Sequence, residues 1–318
     1  MVFFPYICFN VKLSKMAKCF FYNEDCLANM GRMASKNFKV DLVITSPPYM
    51  TSRSKVKTQK ALDTYNRRYD ICLDDMDENE YREWTINIFN KLDKVLSKDG
   101  VVLYNISYGS ENPNAMWLLP EAIINNTPFM ISDCIVWKKG SALPNNVGNK
   151  MTRLTEFVFI ISRKSDFATY RINKKVKSVR EDTGQKYYEN MSNFIQAPNN
   201  DGSCDLNKAT YSSKLCEELL FRFANENSIV FDPFMGTGTT AIACEKFCPS
   251  DTMMCIGCEL SPNQVEFSKK RLAAFREGKD MRQFTRELKR EKKPNANDTV
   301  HQIPSGEGGE NTGVPSQT

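Results

Sequence analysis

Apolar, β-branched runs alternate along the chain with amphipathic stretches. Residues 39–49, KVDLVITSPPY, begin as a buried strand and end at Pro47-Pro48, which cannot continue a ladder. In 80–100, EYREWTINIFNKLDKVLSKDG, the residues Trp84, Ile88, Leu92 and Leu96 recur at helical spacing and Asp99-Gly100 supplies a stop, so a helix is expected there. GVVLYNISYG (100–109) reads as a strand, 114–125 as a helix, and ISDCIVWKKG (131–140) and TEFVFIISRK (155–164) as two further strands. A helix at 212–225 precedes the strand SIVFDPF (228–234), the turn GTGTT (236–240) and the helix TAIACEKF (240–247). The strand MMCIGCEL (253–260) and the helix SPNQVEFSKKRLAAFREG (261–278) close the pattern. Strands alternating with helices predict an α/β fold, a mostly parallel sheet with helices on both faces.

The periodicity lapses in three places. Residues 164–205 are polar, basic and weakly patterned, and read as an inserted module between a first half, 16–163, and a second half, 206–284. From 285 to 318 the chain is charged and then rich in Gly, Ser and Pro, the composition of a disordered tail. Residues 1–15 precede a second methionine, Met16, and read as an N-terminal extension. Their apolar run has no basic segment before it and is broken by Pro5 and Asn10, which argues against a signal peptide or membrane span and for a cytoplasmic protein, or a nuclear or viral-replication-site one in a eukaryotic host.

Composition narrows the chemistry. The net charge of +5 is too mild to identify a nucleic-acid binder by itself, but Arg53, Lys55, Lys57, Lys60, Arg67 and Arg68 crowd one loop after Tyr49. The one histidine, His301, lies in the polar tail, which removes Ser-His-Asp triads and Cys-His dyads from the folded part. Eleven cysteines in 318 residues are read as reduced thiols. Cys244, Cys248, Cys255 and Cys258 lack the paired spacing of a zinc site and are read as small buried hydrophobes, so no metal is expected.

Two segments carry chemistry. In FDPFMGTGTT, Gly236 and Gly238 let the backbone approach a ligand where strand passes to helix, and Glu259, at the tip of the next strand, suits a pair of ribose hydroxyls. No GK[ST] follows the glycines, position 241 is Ala where a third glycine is needed, and Asp232 would repel a pyrophosphate. A nucleoside-bearing ligand without phosphates fits better. In TSPPY, Ser46 supplies a polar side chain, Pro47 a rigid carbonyl and Tyr49 a ring, a small acceptor-and-stacking site for a planar base with an amino group.

TSPPY followed by FDPFMGTGTT and CIGCEL resembles the amino-methylating DNA methyltransferases, in the order of their beta group, catalytic motif before cofactor motif. NEDCL, LSKDGVVLYNIS, IVWKKG and RLTEFVFIISRK resemble the family too, so the likeness covers roughly 20–163 and 206–275. It implies a circularly permuted Rossmann-like fold, S-adenosyl-L-methionine as cofactor and double-stranded DNA as substrate, and leaves room for a cognate restriction endonuclease and a homodimer. Carried over residue by residue, Ser46, Pro47, Pro48 and Tyr49 are catalytic, and Asp25, Thr45, Asp232, Pro233, Phe234, Gly236, Gly238, Thr239 and Glu259 bind the cofactor. The basic residues after Tyr49 would grip DNA phosphates, and 164–205 would recognise the target. Asn207-Lys208-Ala209 stands where the family has a His-Pro pair. Within the family a serine before the two prolines accompanies cytosine N4 methylation, and Asp or Asn accompanies adenine N6. Cytosine N4 is therefore the favoured reading, with adenine N6 as the alternative and a catalytically silent nucleic-acid-binding relative as the alternative of another class.

Overall fold

Strands β2 (Val40–Thr45) and β9 (Ile229–Asp232) are nearly all apolar because both their faces are covered, the usual signature of parallel strands under helices. The computed structural model describes residues 16–49, 76–108, 114–146, 148–202, 207, 210–247, 251–281, 283, 284 and 287. The extension 1–15, the basic loop from Met50 to Arg68, and the tail 285–318 apart from Glu287 lie outside them. Eight of the ten strands in the described residues form one sheet, in the order β1 (Lys18–Asn23), β10 (Met254–Glu259), β9, β2, β3 (Leu96–Ile106), β5 (Thr155–Arg163), β4 (Phe129–Lys139), β8 (Phe194–Ala197). Every neighbouring pair is parallel except the two that β5 makes, with β3 and with β4.

Each face of the sheet buries its own core. On one face Leu42 and Ile44 of β2 pack with Leu215, Leu219 and Phe223 of α4 (Ser213–Phe223) and with Ala241 and Cys244 of α5 (Thr239–Phe247). On the other, Val43 packs with Met30 of α1 (Cys26–Ser35), Phe89 and Leu92 of α2 (Glu78–Val95) and Leu119 of α3 (Ala115–Asn126). The helices start on side-chain caps. Asp25 accepts from the Leu27 amide, Asp77 and Glu80 form a reciprocal capping box, and Ser261 caps α6 (Pro262–Arg276), which opens with a proline.

The order of strands positions the site. From β2 the chain crosses to β3 on one side, while β9 leads to β10 on the other, so β2 and β9 stand side by side where the winding reverses. Ligands in open α/β sheets bind outside the carboxyl ends of the strands at such a point. TSPPY leaves β2 and DPFMGTG leaves β9 at that edge.

The structure departs from the sequence reading in three particulars. The strand β1 and the helix α1 were not foreseen. The helix read through Gly100 ends at Val95, because Leu96 pairs with Val40 and already belongs to β3; a bulge between Val40 and Leu42, with Asp99 at φ 61°, restores the register. The segment 164–205 is divided: β6 (Val176–Val179) and β7 (Lys186–Tyr188) form a separate antiparallel ribbon, while β8 joins the main sheet beside β4.

Candidate active site

The glycine loop is shaped by two left-handed residues. Gly236 has φ 54° and Gly238 φ 77°, and a Cβ on Gly238 would lie 2.9 Å from the Ser268 Cβ, so only glycine takes the turn without strain. The Gly236 amide donates to Glu259 Oε2 at 3.0 Å and the Ser261 amide to Oε1 at 2.9 Å. These two bonds fix the carboxylate at the tip of β10, where it lines the cleft. Asp232 lies behind the loop, fully buried. Its Oδ1 accepts from the Thr45 hydroxyl at 2.8 Å and the Phe234 amide at 3.1 Å, and its Oδ2 from the hydroxyls of Thr240 at 2.6 Å and Tyr211 at 3.0 Å. Asp232 thus ties the end of β2 to the glycine loop. Burial holds its carboxyl above the usual carboxylate range despite these donors.

The Ser46–Tyr49 turn is braced from α2 by the Tyr81 hydroxyl, which donates to the Pro48 carbonyl. The Ser46 hydroxyl donates to Tyr49 Oη at 3.5 Å, and the one Tyr49 hydrogen is shared between Asn105 Oδ1 at 3.3 Å and Glu156 Oε2 at 3.4 Å. Trp84 packs between Tyr81 and Phe234, with ring centroids 5.4 and 5.3 Å away, and forms an apolar wall between the two motifs.

The two motifs share one open cleft of about 1030 Å³, its solvent mouth included. Of the residues expected at the site, Asp25, Ser46, Pro47, Pro48, Tyr49, Pro233, Phe234, Gly236, Thr239 and Glu259 line it. Thr45, Asp232 and Gly238 do not; the first two hold the loop from behind. Glu24, Asp25 and Glu259 are the charged lining residues among those described, with no Lys or Arg. That lining suits a ligand with positive charge and disfavours phosphates. The six basic residues expected to contact DNA lie outside the described residues.

Sequence reasoning missed Trp84 and Gln264 in the cleft; Asn207 and Tyr211, from the segment that stands where the family has its His-Pro pair, line it as well. Along the chain Trp84 is only one member of an apolar stripe. Asn207 Nδ2 donates to Gln264 Oε1 at 3.0 Å, joining the segment before α4 to α6. Gly257 was missed too: a Cβ there would lie 2.3 Å from the Met235 sulfur, so the strand must be bare for the loop to fold over it. The cysteines read as buried hydrophobes divide between the cores, Cys244 and Cys255 in one and Cys258 in the other, while Cys248 lies outside the described residues.

The family model described as DNA methylase, covering N6 and N4 methyltransferases, matches residues 40–270. The Type II methyltransferase M.Cfr9I of Citrobacter freundii is 23% identical over 283 residues, 79% of this chain and 86% of that protein. The Type II methyltransferase M.SmaI of Serratia marcescens is 22% identical over 264 residues, 73% of this chain and 84% of that one. Among solved structures, the PvuII DNA methyltransferase (cytosine-N4-specific) superposes with a TM-score of 0.55 at 20% identity, covering 82% of this chain and 87% of its own. The M1.HpyAVI–SAM complex superposes with a TM-score of 0.50 at 22% identity, covering 80% and 99%. These likenesses agree with the Rossmann-like fold, and the match across residues 40–270 means that the chain belongs to the N6/N4 DNA methylase family.

Proposed function

We propose that the protein transfers the methyl group of S-adenosyl-L-methionine to the exocyclic N4 of cytosine in DNA, on a base turned out of the duplex. The observation that carries this reading is the meeting of the SPPY turn and the glycine loop in a single cleft whose charged lining is acidic.

S-adenosyl-L-methionine is the cofactor, and its sulfonium supplies an electrophilic methyl group. The residues present fit it. Glu259 is held at the tip of β10 where its carboxylate can meet the ribose hydroxyls, the bare backbone at Gly236 admits a close approach, and the acidic lining favours the sulfonium and ammonium charges. Asp25, Pro233, Phe234 and Thr239 complete the binding surface, with Thr45, Asp232 and Gly238 shaping it from behind.

The target amine is a poor nucleophile because its lone pair is delocalised into the ring. The Ser46 hydroxyl and the Pro47 carbonyl hold its hydrogens, favour a pyramidal nitrogen and aim the lone pair for in-line transfer. The Tyr49 ring stacks on the extruded base, and Tyr81 keeps the turn rigid. The choice of cytosine rests on Ser46 standing before the prolines; the PvuII enzyme of the same fold is described as cytosine-N4-specific. The ribbon of β6 and β7 exposes Lys177, Lys186, Tyr187 and Tyr188, and 164–205 serves in this reading as the target-recognition segment, with the basic loop after Tyr49 on the phosphates.

The test is to incubate the protein with S-adenosyl-L-methionine and mixed-sequence duplex DNA, digest to nucleosides and identify the product by mass spectrometry. N4-methyldeoxycytidine is expected, and Ser46→Ala should lose transfer while binding the cofactor as tightly as the wild type. N6-methyldeoxyadenosine would keep the chemistry and overturn the base. No methylated nucleoside, from protein shown by calorimetry to bind the cofactor, would favour the silent relative.

A further inference from the structure

The polar groups behind Tyr49 form a directed chain. The Ser46 hydroxyl donates to Tyr49 Oη, and the single Tyr49 hydrogen has two acceptors behind it, Asn105 Oδ1 at 3.3 Å and Glu156 Oε2 at 3.4 Å, so the chain leads away from the methylation site and can end on a carboxylate. Glu156 stands on β5 in register with Trp137 of β4, and its other oxygen accepts from Lys139 Nζ at 2.9 Å. The ion pair is largely enclosed, with the Glu156 and Lys139 side chains 16% and 20% exposed. Asn105, on β3, turns its amide NH₂ to the Phe157 carbonyl at 3.2 Å and so presents its oxygen to the same tyrosine hydroxyl.

Two strands thus bring a carboxylate and an amide onto one hydroxyl beside the serine, and a third sets an ammonium on the far oxygen of the carboxylate. An apolar wall would support the tyrosine ring as well and carry no desolvation cost. Asn105 steadies Tyr49 but its amide is no base, whereas the Glu156 carboxylate is one.

We propose that Ser46, Tyr49 and Glu156 form a proton relay that polarises the serine during methyl transfer and carries off the proton the reaction releases. The proposal rests on the amino-methyltransferase reading above. In the step, the amine lone pair forms the N–C bond as the S–C bond breaks and its electrons return to sulfur. The nitrogen, now cationic, passes one proton to Ser46 Oγ, which passes its own to Tyr49 Oη, and Tyr49 passes its own to Glu156 Oε2. Charge balances: the sulfonium and the carboxylate are both neutralised, and the proton leaves Glu156 for solvent before the next turnover. Until then the anionic end of the chain draws the serine hydrogen away from the target, leaving the Oγ lone pairs for the amine. Separations of 3.4–3.5 Å are long for such bonds, and catalytic hydrogen bonds commonly tighten when substrate enters. Glu156 acts through Tyr49 and touches no substrate; it is a positioning residue.

The test compares wild type with Glu156→Gln, Tyr49→Phe and the double variant, by single-turnover methyl transfer and by binding of S-adenosyl-L-methionine and duplex DNA. Each single variant should slow transfer by roughly 100-fold, within the range of a positioned proton acceptor, with both dissociation constants unchanged. The double variant should be no slower than the slower single one, because the two residues serve one path. Multiplying losses would mark separate roles, and a loss matched by weakened cofactor or DNA binding would mark structural damage; either overturns the relay. Glu156→Gln at the wild-type rate overturns it with methyl transfer intact. A wild type that binds cofactor but methylates no DNA sinks the function on which the relay rests, and the relay with it.

Discussion

Four donors converge on Asp232, and two of them, Thr45 and Phe234, belong to the two motifs the site depends on. An amide at this position can keep its oxygen toward Thr45 and the Phe234 amide but must turn its NH₂ toward Tyr211 and Thr240, whose hydroxyl hydrogens both point at that side of the carboxylate. Asp232→Asn should therefore destabilise the protein by roughly 2 kcal/mol at neutral pH, measured by urea denaturation. The pH dependence follows from burial, which raises the folded carboxyl above its unfolded value. The native state holds the proton more tightly, so this contribution is full below the unfolded pKa and is lost as pH rises through the folded one. The stability gap between wild type and Asp232→Asn should accordingly widen as pH falls toward the carboxylate range, and a gap that narrows would refute the assignment. Asp232, Gly236 and Glu259 were legible in the sequence because their chemistry is local to a strand, a turn and the next strand tip. Trp84 and Glu156 reach the site only through tertiary packing, and nothing in their neighbours along the chain gives them a role there.

At the level of elements, the join between α2 and β3 is held by one side chain from β5. Arg163 Nη2 donates to the carbonyls of Asp93 and Leu96, Nη1 to that of Ser97, and Nε to the Asp93 carboxylate at 2.7 Å. A helix leaves its last carbonyls without intrahelical partners, and here the guanidinium fork takes that of Asp93 together with the first two of β3, while Lys39 Nζ takes that of Lys94, where the chain turns directly into a strand. Arg163→Ala should cost about 3 kcal/mol in denaturant unfolding, and Arg163→Lys should recover only part of it, because an ammonium cannot span the same set of acceptors. The arrangement also explains why the sequence pattern carries the helix too far. Leu96 continues the apolar stripe of Trp84, Ile88 and Leu92, and only its pairing with Val40, fixed from a strand distant in sequence, takes it out of the helix. The long strands and α3 were legible because their periodicity is strong. The six-residue β1, KCFFYN, has most of its side chains outward, and gave no comparable signal.

Across the whole molecule, the electrostatic layout requires a division of labour. The cleft is lined by Glu24, Asp25 and Glu259, which suits a cationic cofactor but repels a phosphate backbone, so DNA must be held by charge placed elsewhere. With a net charge of only +5 spread over 318 residues, long-range attraction is weak, and a local cluster has to supply the grip. The sequence offers one directly after the Ser46–Tyr49 turn, Arg53, Lys55, Lys57, Lys60, Arg67 and Arg68. If these residues neutralise phosphates, removing any one of them should flatten the slope of log affinity against log salt by about 0.9. Replacing Arg53, Lys55 and Lys57 by Gln should then weaken DNA binding most at low salt, lower the slope by up to about 2.7 and leave cofactor affinity unchanged. Measured by fluorescence anisotropy across a salt series, an unchanged slope would move the phosphate grip to another surface, with the basic residues of 164–205 the next to be tested. If both hold, cofactor and duplex attach independently, because the acidic cleft draws the one and basic surface outside it the other, and neither competes for the other's charges.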